Sequence, residues 1–273
     1  MASPTRDSAR ARYPAHPRVR SILALTTVAA LALAGCSLSG SEPGATAPAS
    51  IASPGPETSG ATATSEPKPL RLVTLGDGYT AGTDTGAARR DSWPAQLAAA
   101  MDHGDLRLRL VDNLAESGHT SEDVQRVQLP QVEALEPDVV TLQVGVNDII
   151  ARDISLEDYE ANMAQILDAL LAIVPARHLF LITTPDHTLT ARGADYGPRE
   201  AGRADVAEAN AILAALAAER DIPVIDISPV NQRVADDASL VIGQGPYPSA
   251  KQYAGWVEII GPQMRRMLLD EEP

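Results

Sequence analysis

The side chains of this sequence that could do chemistry gather in a few short stretches. One is Gly76-Asp77-Gly78-Tyr79-Thr80-Ala81-Gly82. Others are Glu116-Ser117-Gly118-His119-Thr120, Gly145-Val146-Asn147-Asp148, Thr183-Thr184-Pro185-Asp186-His187 and Gln244-Gly245-Pro246-Tyr247-Pro248-Ser249. Serine hydroxyls beside imidazoles or carboxylates are the raw material of nucleophilic catalysis, and here they are Ser117 and Ser249 with His119, His187 and Asp77. A base at His187 or Asp77 could also act on water directly. The plainer reading is preferred for each. Ser117 and Ser249 suit turns or helix caps, Asp77 its own turn, and His187 the rim of a site. Asp77, His119 and Asp148 match no familiar metal-ligand spacing, so neither a metal nor another cofactor is expected.

These stretches follow apolar runs. Leu70–Leu75 closes on Gly76 as a buried first strand. Leu106–Val111 alternates apolar and basic, as a half-exposed edge strand does. Asp138–Gln143 is a third strand, His178–Thr183 a fourth and Val224–Ile227 a fifth. Between them lie helical patterns: about 91–101, one opening in capping-box style at Ser155-Leu156-Glu157-Asp158, about 199–220, and one from Ala250 kinked at Gly261-Pro262. The long helix after Ser155 shows an apolar face of Tyr159, Met163, Ile166, Leu170 and Val174. This alternation predicts an α/β domain over 70–273, a flavodoxin-like, doubly wound, five-stranded parallel sheet with helices on both faces. Sites in such sheets lie beyond the carboxyl ends of the strands, which is where the polar stretches fall.

In that order and at those strand ends, the stretches at 76–82, 116–120, 145–148 and 244–249 resemble the blocks of the SGNH (GDSL-type) hydrolases, over about 70–270. The resemblance implies ester hydrolysis by a Ser in the first block and, near the C-terminus, a His three residues after an Asp. It implies oxyanion donors from the Ser backbone N–H, the block-two Gly and the block-three Asn. Gly118 and Asn147 match the latter two. The Ser position falls on Gly78, the Asp position on Gln244 and the His position on Tyr247. Gly78 has no side chain, Gln244 no charge, and a phenol of ordinary pKa about 10 is protonated at neutral pH. The triad is therefore expected to be degenerate. The Gly78, Gly118 and Asn147 donors remain, suited to a carbonyl or carboxylate oxygen of an acyl or ester-bearing ligand. The opposing expectation is an ester hydrolase rescued by another nucleophile or by water.

The N-terminus reads as an address. Arg6, Arg10, Arg12, Arg18 and Arg20 face only Asp7, and the apolar stretch 21–35 ends in Leu33-Ala34-Gly35-Cys36. That tetrad resembles the lipobox of bacterial lipoproteins, which implies cleavage before Cys36 and its lipidation. The signal segment is 1–35. A Ser/Pro/Gly/Ala-rich linker follows at 36–69, too poor in apolar area to fold. The protein is then an extracytoplasmic lipoprotein of the cell envelope, held to the membrane by its lipid anchor. Cys36 is the single cysteine of 273 residues, which excludes a disulfide framework. The formal charge of −14 argues against nucleic acid as a partner. No apolar run reaches the roughly 20 residues of a spanning helix.

Overall fold

The computed structural model describes residues 67–269, apart from Arg152 and Asp153. The expected signal segment, Cys36 and almost all of the linker lie outside the described residues.

β1 (Leu70–Gly76) is followed by the single turn α1 (Gly78–Ala81), by α2 (Ala88–Asp91) and α3 (Trp93–Met101), then by β2 (Asp102–His103) and β3 (Leu106–Asn113). α4 (Ser121–Asp123) passes through a π-helical turn at Val124–Gln128 into α5 (Leu129–Val132). β4 (Val139–Gln143) leads to α6 (Val146–Ala151) and α7 (Leu156–Leu171). After β5 (Leu179–Ile182), two 3-10 segments at His187–Leu189 and Ala191–Tyr196 precede α8 (Arg199–Ala218). β6 (Val224–Ile225), α9 (Ser228–Asn231) and α10 (Ala250–Leu269) follow.

The strands form one sheet in the order β2-β3-β1-β4-β5-β6. β3, β1, β4, β5 and β6 are parallel. The chain winds outward from β1 in one direction to β3 and in the other to β4, β5 and β6. The strand order thus reverses between β1 and β4, and ligands of open α/β sheets bind at such a crevice.

Side chains alternate across the sheet and both faces are covered. Val73, Leu75, Val140 and Leu142 pack with α7 and α8. Leu72, Val139, Phe180 and Ile182 pack with α3 and α10 through Trp93, Leu97, Trp256 and Ile260. Burial on both faces is why the strands read as continuous apolar runs rather than as alternation. α7 buries Tyr159, Met163, Ile166 and Leu170 at helical spacing, each fully buried aliphatic side chain contributing roughly 1.5–3 kcal/mol. Its capping box is formed: Ser155 Oγ accepts from the Asp158 N–H at 3.0 Å, and the Asp158 carboxylate accepts from the Ser155 N–H at 3.3 Å.

The sheet corrects the expected count of five strands to six. β2 is two residues long and pairs antiparallel with Leu106 and Arg107. The chain reverses between them at Gly104, whose φ is +73°. Two residues are too few to show a periodicity, so no strand was expected there. The Gly261-Pro262 pair, read from sequence as a kink, lies inside α10, which runs on to Leu269. Among the described residues no helix is long and apolar enough to cross a membrane.

Candidate functional site

β1 ends at a glycine for a steric reason. A Cβ on Gly76 would lie 2.2 Å from the Gln143 carbonyl oxygen of the neighbouring β4. The chain then turns at Asp77, which caps α1 by accepting the Tyr79 N–H at 2.9 Å. Asp77 is buried, and burial pushes its carboxyl up to about 7. Gly78 opens α1, so its N–H has no acceptor within the helix. Its neighbour on the open side is Tyr247. A Cβ on Gly78 would stand 2.6 Å from Tyr247 Cε1 and 3.0 Å from the phenol oxygen. The tyrosine ring therefore fills the space that any side chain at position 78 would need.

Tyr247 is delivered by a tight turn. The Ile242 N–H donates to the Tyr247 carbonyl at 2.9 Å, and the Gly245 N–H to the Ile242 carbonyl at 3.0 Å. The ring meets Tyr79 edge-on, with centroids 5.6 Å apart, and Tyr79 stacks on Trp256. The phenol oxygen lies 2.8 Å from Ser117 Oγ in the loop after β3. Two residues on, the His119 carbonyl accepts from Asn147 Nδ2 at 2.8 Å, in the loop after β4. Contacts thus run from Gly78 through Tyr247 and Ser117, past Gly118, to His119 and Asn147, around the β1–β4 crevice. Gly118 holds a φ of +86°, and a Cβ there would meet nothing within 4 Å. Gln244, three residues before Tyr247, is exposed and makes no side-chain hydrogen bond among the described residues.

The cluster is poor in bases. Burial raises the Tyr247 phenol; the Ser117 hydrogen bond, the next largest influence, pulls it down, and the charge of Asp77 adds a smaller rise. Tyr247 is therefore protonated at neutral pH, and Ser117 faces a phenol rather than a proton acceptor. His119 is held at both nitrogens. Gln128 Oε1 accepts the Gly76 N–H at 2.9 Å, which fixes the orientation of its amide. Its Nε2 then donates to the Gly76 carbonyl at 2.7 Å and lies 2.8 Å from His119 Nδ1. In that arrangement Nδ1 accepts, and Nε2 carries the proton toward Glu116, 3.2 Å away. Neither nitrogen has a lone pair left for a substrate proton.

The other sequence candidates have structural partners elsewhere. Asp148 is buried beneath Asn147 and accepts the Ser121 N–H at 3.0 Å and the Ser121 hydroxyl at 2.5 Å, joining α4 to α6. Burial is the largest cause of its raised pKa. Asp77, His119 and Asp148 each point to separate partners rather than to one common centre. Ser249 donates to the Ser239 carbonyl at 2.8 Å and caps α10 by accepting the Gln252 N–H. His187 is buried against Tyr196 in the segment after β5, and burial lowers its pKa, so it is neutral.

Two glutamines that the sequence reading passed over hold the site together. Gln143 Oε1 accepts from Thr80 Oγ1 at 3.0 Å and Trp93 Nε1 at 3.2 Å, and its amide donates to the Thr183 carbonyl. Gln128 clamps both polar groups of Gly76, from a π-helical turn. π-turns recur at functional sites, but nothing local in Val-Gln-Arg-Val-Gln announces one.

A family model described as the GDSL-like lipase/acylhydrolase family matches residues 74–254. No protein of curated function matches. Among solved structures, the chain is similar to LAE5, an α/β hydrolase enzyme from the metagenome of Lake Arreo in Spain. That match has 20% identity and a TM-score of 0.58, covering 72% of this chain and 96% of that one. It is also similar to Axe2, an acetylxylan esterase from Geobacillus stearothermophilus, at 20% identity and a TM-score of 0.56, covering 71% and 94%. The catalytic mutants of Axe2 replace a Ser, an Asp and a His, the last two lying three positions apart. With two thirds of its length under one family model and the same α/β architecture, the chain belongs to the GDSL-like lipase/acylhydrolase family.

Proposed function

We propose that this protein is an envelope lipoprotein, anchored through Cys36, whose hydrolase-like domain has lost its Ser-Asp-His triad. It binds the carbonyl or carboxylate of an acyl or ester-bearing ligand rather than cleaving it. The observation that carries this reading is the packing of the Tyr247 ring into the side-chain space of Gly78. The nucleophile position is filled as well as empty of a hydroxyl. The family pattern puts the nucleophile at 78, the acid at 244 and the base at 247. The spacing of Gln244 and Tyr247 equals that of the Asp and His altered in the Axe2 catalytic mutants. The Gly78 and Gly118 N–H groups and the Asn147 amide would then serve as the oxygen cradle.

Removing a whole triad costs a serine protease about 10⁶-fold in turnover, with roughly 10³–10⁴ over water left from the oxyanion hole and binding. A short-chain nitrophenyl ester should accordingly be turned over barely above background. The combined variant Gly78→Ser, Gln244→Asp and Tyr247→His should gain turnover by orders of magnitude. Brisk hydrolysis by the unaltered protein, or a folded but inert triple variant, would refute the assignment. Anchoring is tested separately: Cys36→Ser should release the protein from the membrane fraction, and an unchanged membrane pool would refute the anchor.

A second reading has one observation in its favour, the 2.8 Å contact between Ser117 Oγ and Tyr247. Ser117 would attack the ester carbonyl and Tyr247 would relay the proton. The raised phenol pKa opposes it, because among the described residues no cation holds Tyr247 as a phenolate. Turnover that vanishes in Ser117→Ala would favour this second reading.

A further inference from the structure

The segment between β5 and α8 folds back onto α8 over an imidazole. His187 is 3% exposed, and its Nδ1 has no hydrogen-bond partner among the described residues. The ring packs edge-to-face with Tyr196, with centroids 5.8 Å apart and planes at 82°. It also lies against α8 at Gly202, where a Cβ would stand 3.4 Å from His187 Nε2 and 2.9 Å from Thr188 Cγ2. Any larger residue at 202 would hold the helix away from the segment.

His187 and Tyr196 stand at the two ends of the looped segment, so their rings clasp it shut. Between them the contacts are polar. The Arg199 guanidinium, at the start of α8, donates to the Thr188, Thr190 and Ala191 carbonyls. The Thr190 N–H donates to the His187 carbonyl at 3.2 Å, the Gly193 N–H to the Thr190 carbonyl at 3.1 Å, and the Gly197 N–H to the Ala194 carbonyl at 3.3 Å. Tyr196 lies near enough to the site for its charge to act on the phenols of Tyr247 and Tyr79. The clasp therefore borders the β1–β4 crevice.

Several charged groups surround the ring. On its own segment, Asp186 accepts the Thr188 N–H and hydroxyl and pairs with Arg203 at 3.3 Å, while Arg192 and Asp195 pair with each other at the surface. α8 contributes Arg199, Arg203 and Asp205, and the packed 3-10 turn at Gln232–Ala235 contributes Arg233. Asp186 and Asp205 favour an imidazolium, but burial outweighs both and the ring is neutral.

We infer that residues 187–197 form an acid-released flap beside the crevice: a proton taken up at His187 unseats the ring from Tyr196 and Gly202, and the segment lifts from α8. An imidazolium in that position has an N–H at Nδ1 with nothing to receive it, so it must reach water. Lifting supplies the water. The closed flap binds the proton less readily than the open one, whose ring has the ordinary pKa of about 6.5. The closed form is therefore fully favoured above about pH 6.5 and loses ground as pH falls below it, until the closed ring itself protonates. The flap does not depend on the proposed loss of the triad.

Hydrogen exchange of the full chain, corrected for the intrinsic rate at each pH, tests this between about pH 7.5 and 5. The Thr190, Gly193 and Gly197 amides should lose protection severalfold or more, with a ceiling of about 30-fold at pH 5 set by the open ring. The Val140 and Leu142 amides of β4 should keep theirs. A loss shared equally by β4 would mean global acid unfolding and would overturn the flap. His187→Gln and His187→Phe, uncharged at every pH, should each abolish the dependence; a loss that persists in either folded variant would overturn the role of His187. Proton NMR of the unaltered protein supplies a check without mutation. The His187 ring should titrate with a midpoint below 6.5, and the loss of protection should run from about pH 6.5 down to that midpoint and then stop. A midpoint at or above 6.5, or titration of the ring with protection unchanged, would overturn the inference.

Discussion

Two glycines of the candidate site sit on opposite sides of the β1–β4 crevice, and they are glycines for opposite reasons. Gly78 has an ordinary helical backbone and no room: a Cβ would press on Tyr247 Cε1 at 2.6 Å. Gly118 has open space around it and a φ of +86°, where L side chains are strained. The first would belong, on the proposed mapping, to the half of the site that attacks in the hydrolase family. The second would belong, on the same mapping, to the half that receives the oxygen. Beside Gly78 the space is taken by the Tyr247 ring, which meets Tyr79 edge-on, and Tyr79 stacks on Trp256. In the loop after β3, Gly118 holds its positive φ with open space where a Cβ would stand. If the proposed loss of the triad holds, a site that had merely decayed would leave a hole beside Gly78, whereas the seated ring fills it.

The largest expected effect tests how dry the attacking half is. Asp77 titrates near 7 in the folded chain against about 3.9 unfolded. Across that window the folded state holds a proton that the unfolded state has released. Stability therefore falls as pH rises from about 4 to 7 and does not recover above, by about 4 kcal/mol if the whole shift is realised. Asp77→Asn keeps an acceptor for the Tyr79 N–H and removes the titration. Urea melts should show the variant gaining on the unaltered protein as pH rises, and a constant gap would mean that water reaches Asp77. Next is Gly78→Ser, which overpacks the ring and should cost about 1–3 kcal/mol. Tyr247→His in the same chain should relieve much of that, with a coupling of about 1 kcal/mol or more in a double-mutant cycle. Strict additivity would show that the ring does not occupy the position-78 space in solution. Gly118→Ala should cost about 1–2 kcal/mol from the backbone alone. Its effect should not change when Tyr247 is altered, and a coupled response would erase the distinction between the two halves.

The parts of this arrangement that were legible in the sequence are those with a local cause. Buried parallel strands read as apolar runs, and the polar residues that end them mark the carboxyl edge, so Gly78, Gly118 and Asn147 could be placed at one rim. The capping box at Ser155 was readable because both partners lie within three residues. What could not be read depends on distant contacts. Gln128 reaches Gly76 across 52 positions, and Gln143 reaches Thr80 across 63. A lone amide inside an apolar run looks like an exposed residue until the groups it satisfies are known. Tyr247 could be recognised as a poor base from its pKa, but its role as filler for position 78 is a matter of packing. β2 was invisible because two residues carry no period.

The smallest effect separates the two readings of the site most directly. Ser117 and Tyr247 share a hydrogen bond at the exposed lip, so Ser117→Ala should change stability by no more than about 0.5 kcal/mol. Its signature lies elsewhere. The Ser117 hydroxyl pulls the Tyr247 phenol down against the burial that raises it. Without that hydroxyl, the Tyr247 titration should move further up, which the difference between tyrosinate absorbance of the unaltered protein and of the variant would record. If Tyr247 is filler, this shift comes with no change in the faint ester turnover. If Ser117 is a displaced nucleophile, the same substitution removes that turnover entirely. An upward-shifted phenol with unchanged turnover is thus the outcome that leaves the attacking half repacked and inert, because it shows the contact is present and shows that no chemistry passes through it.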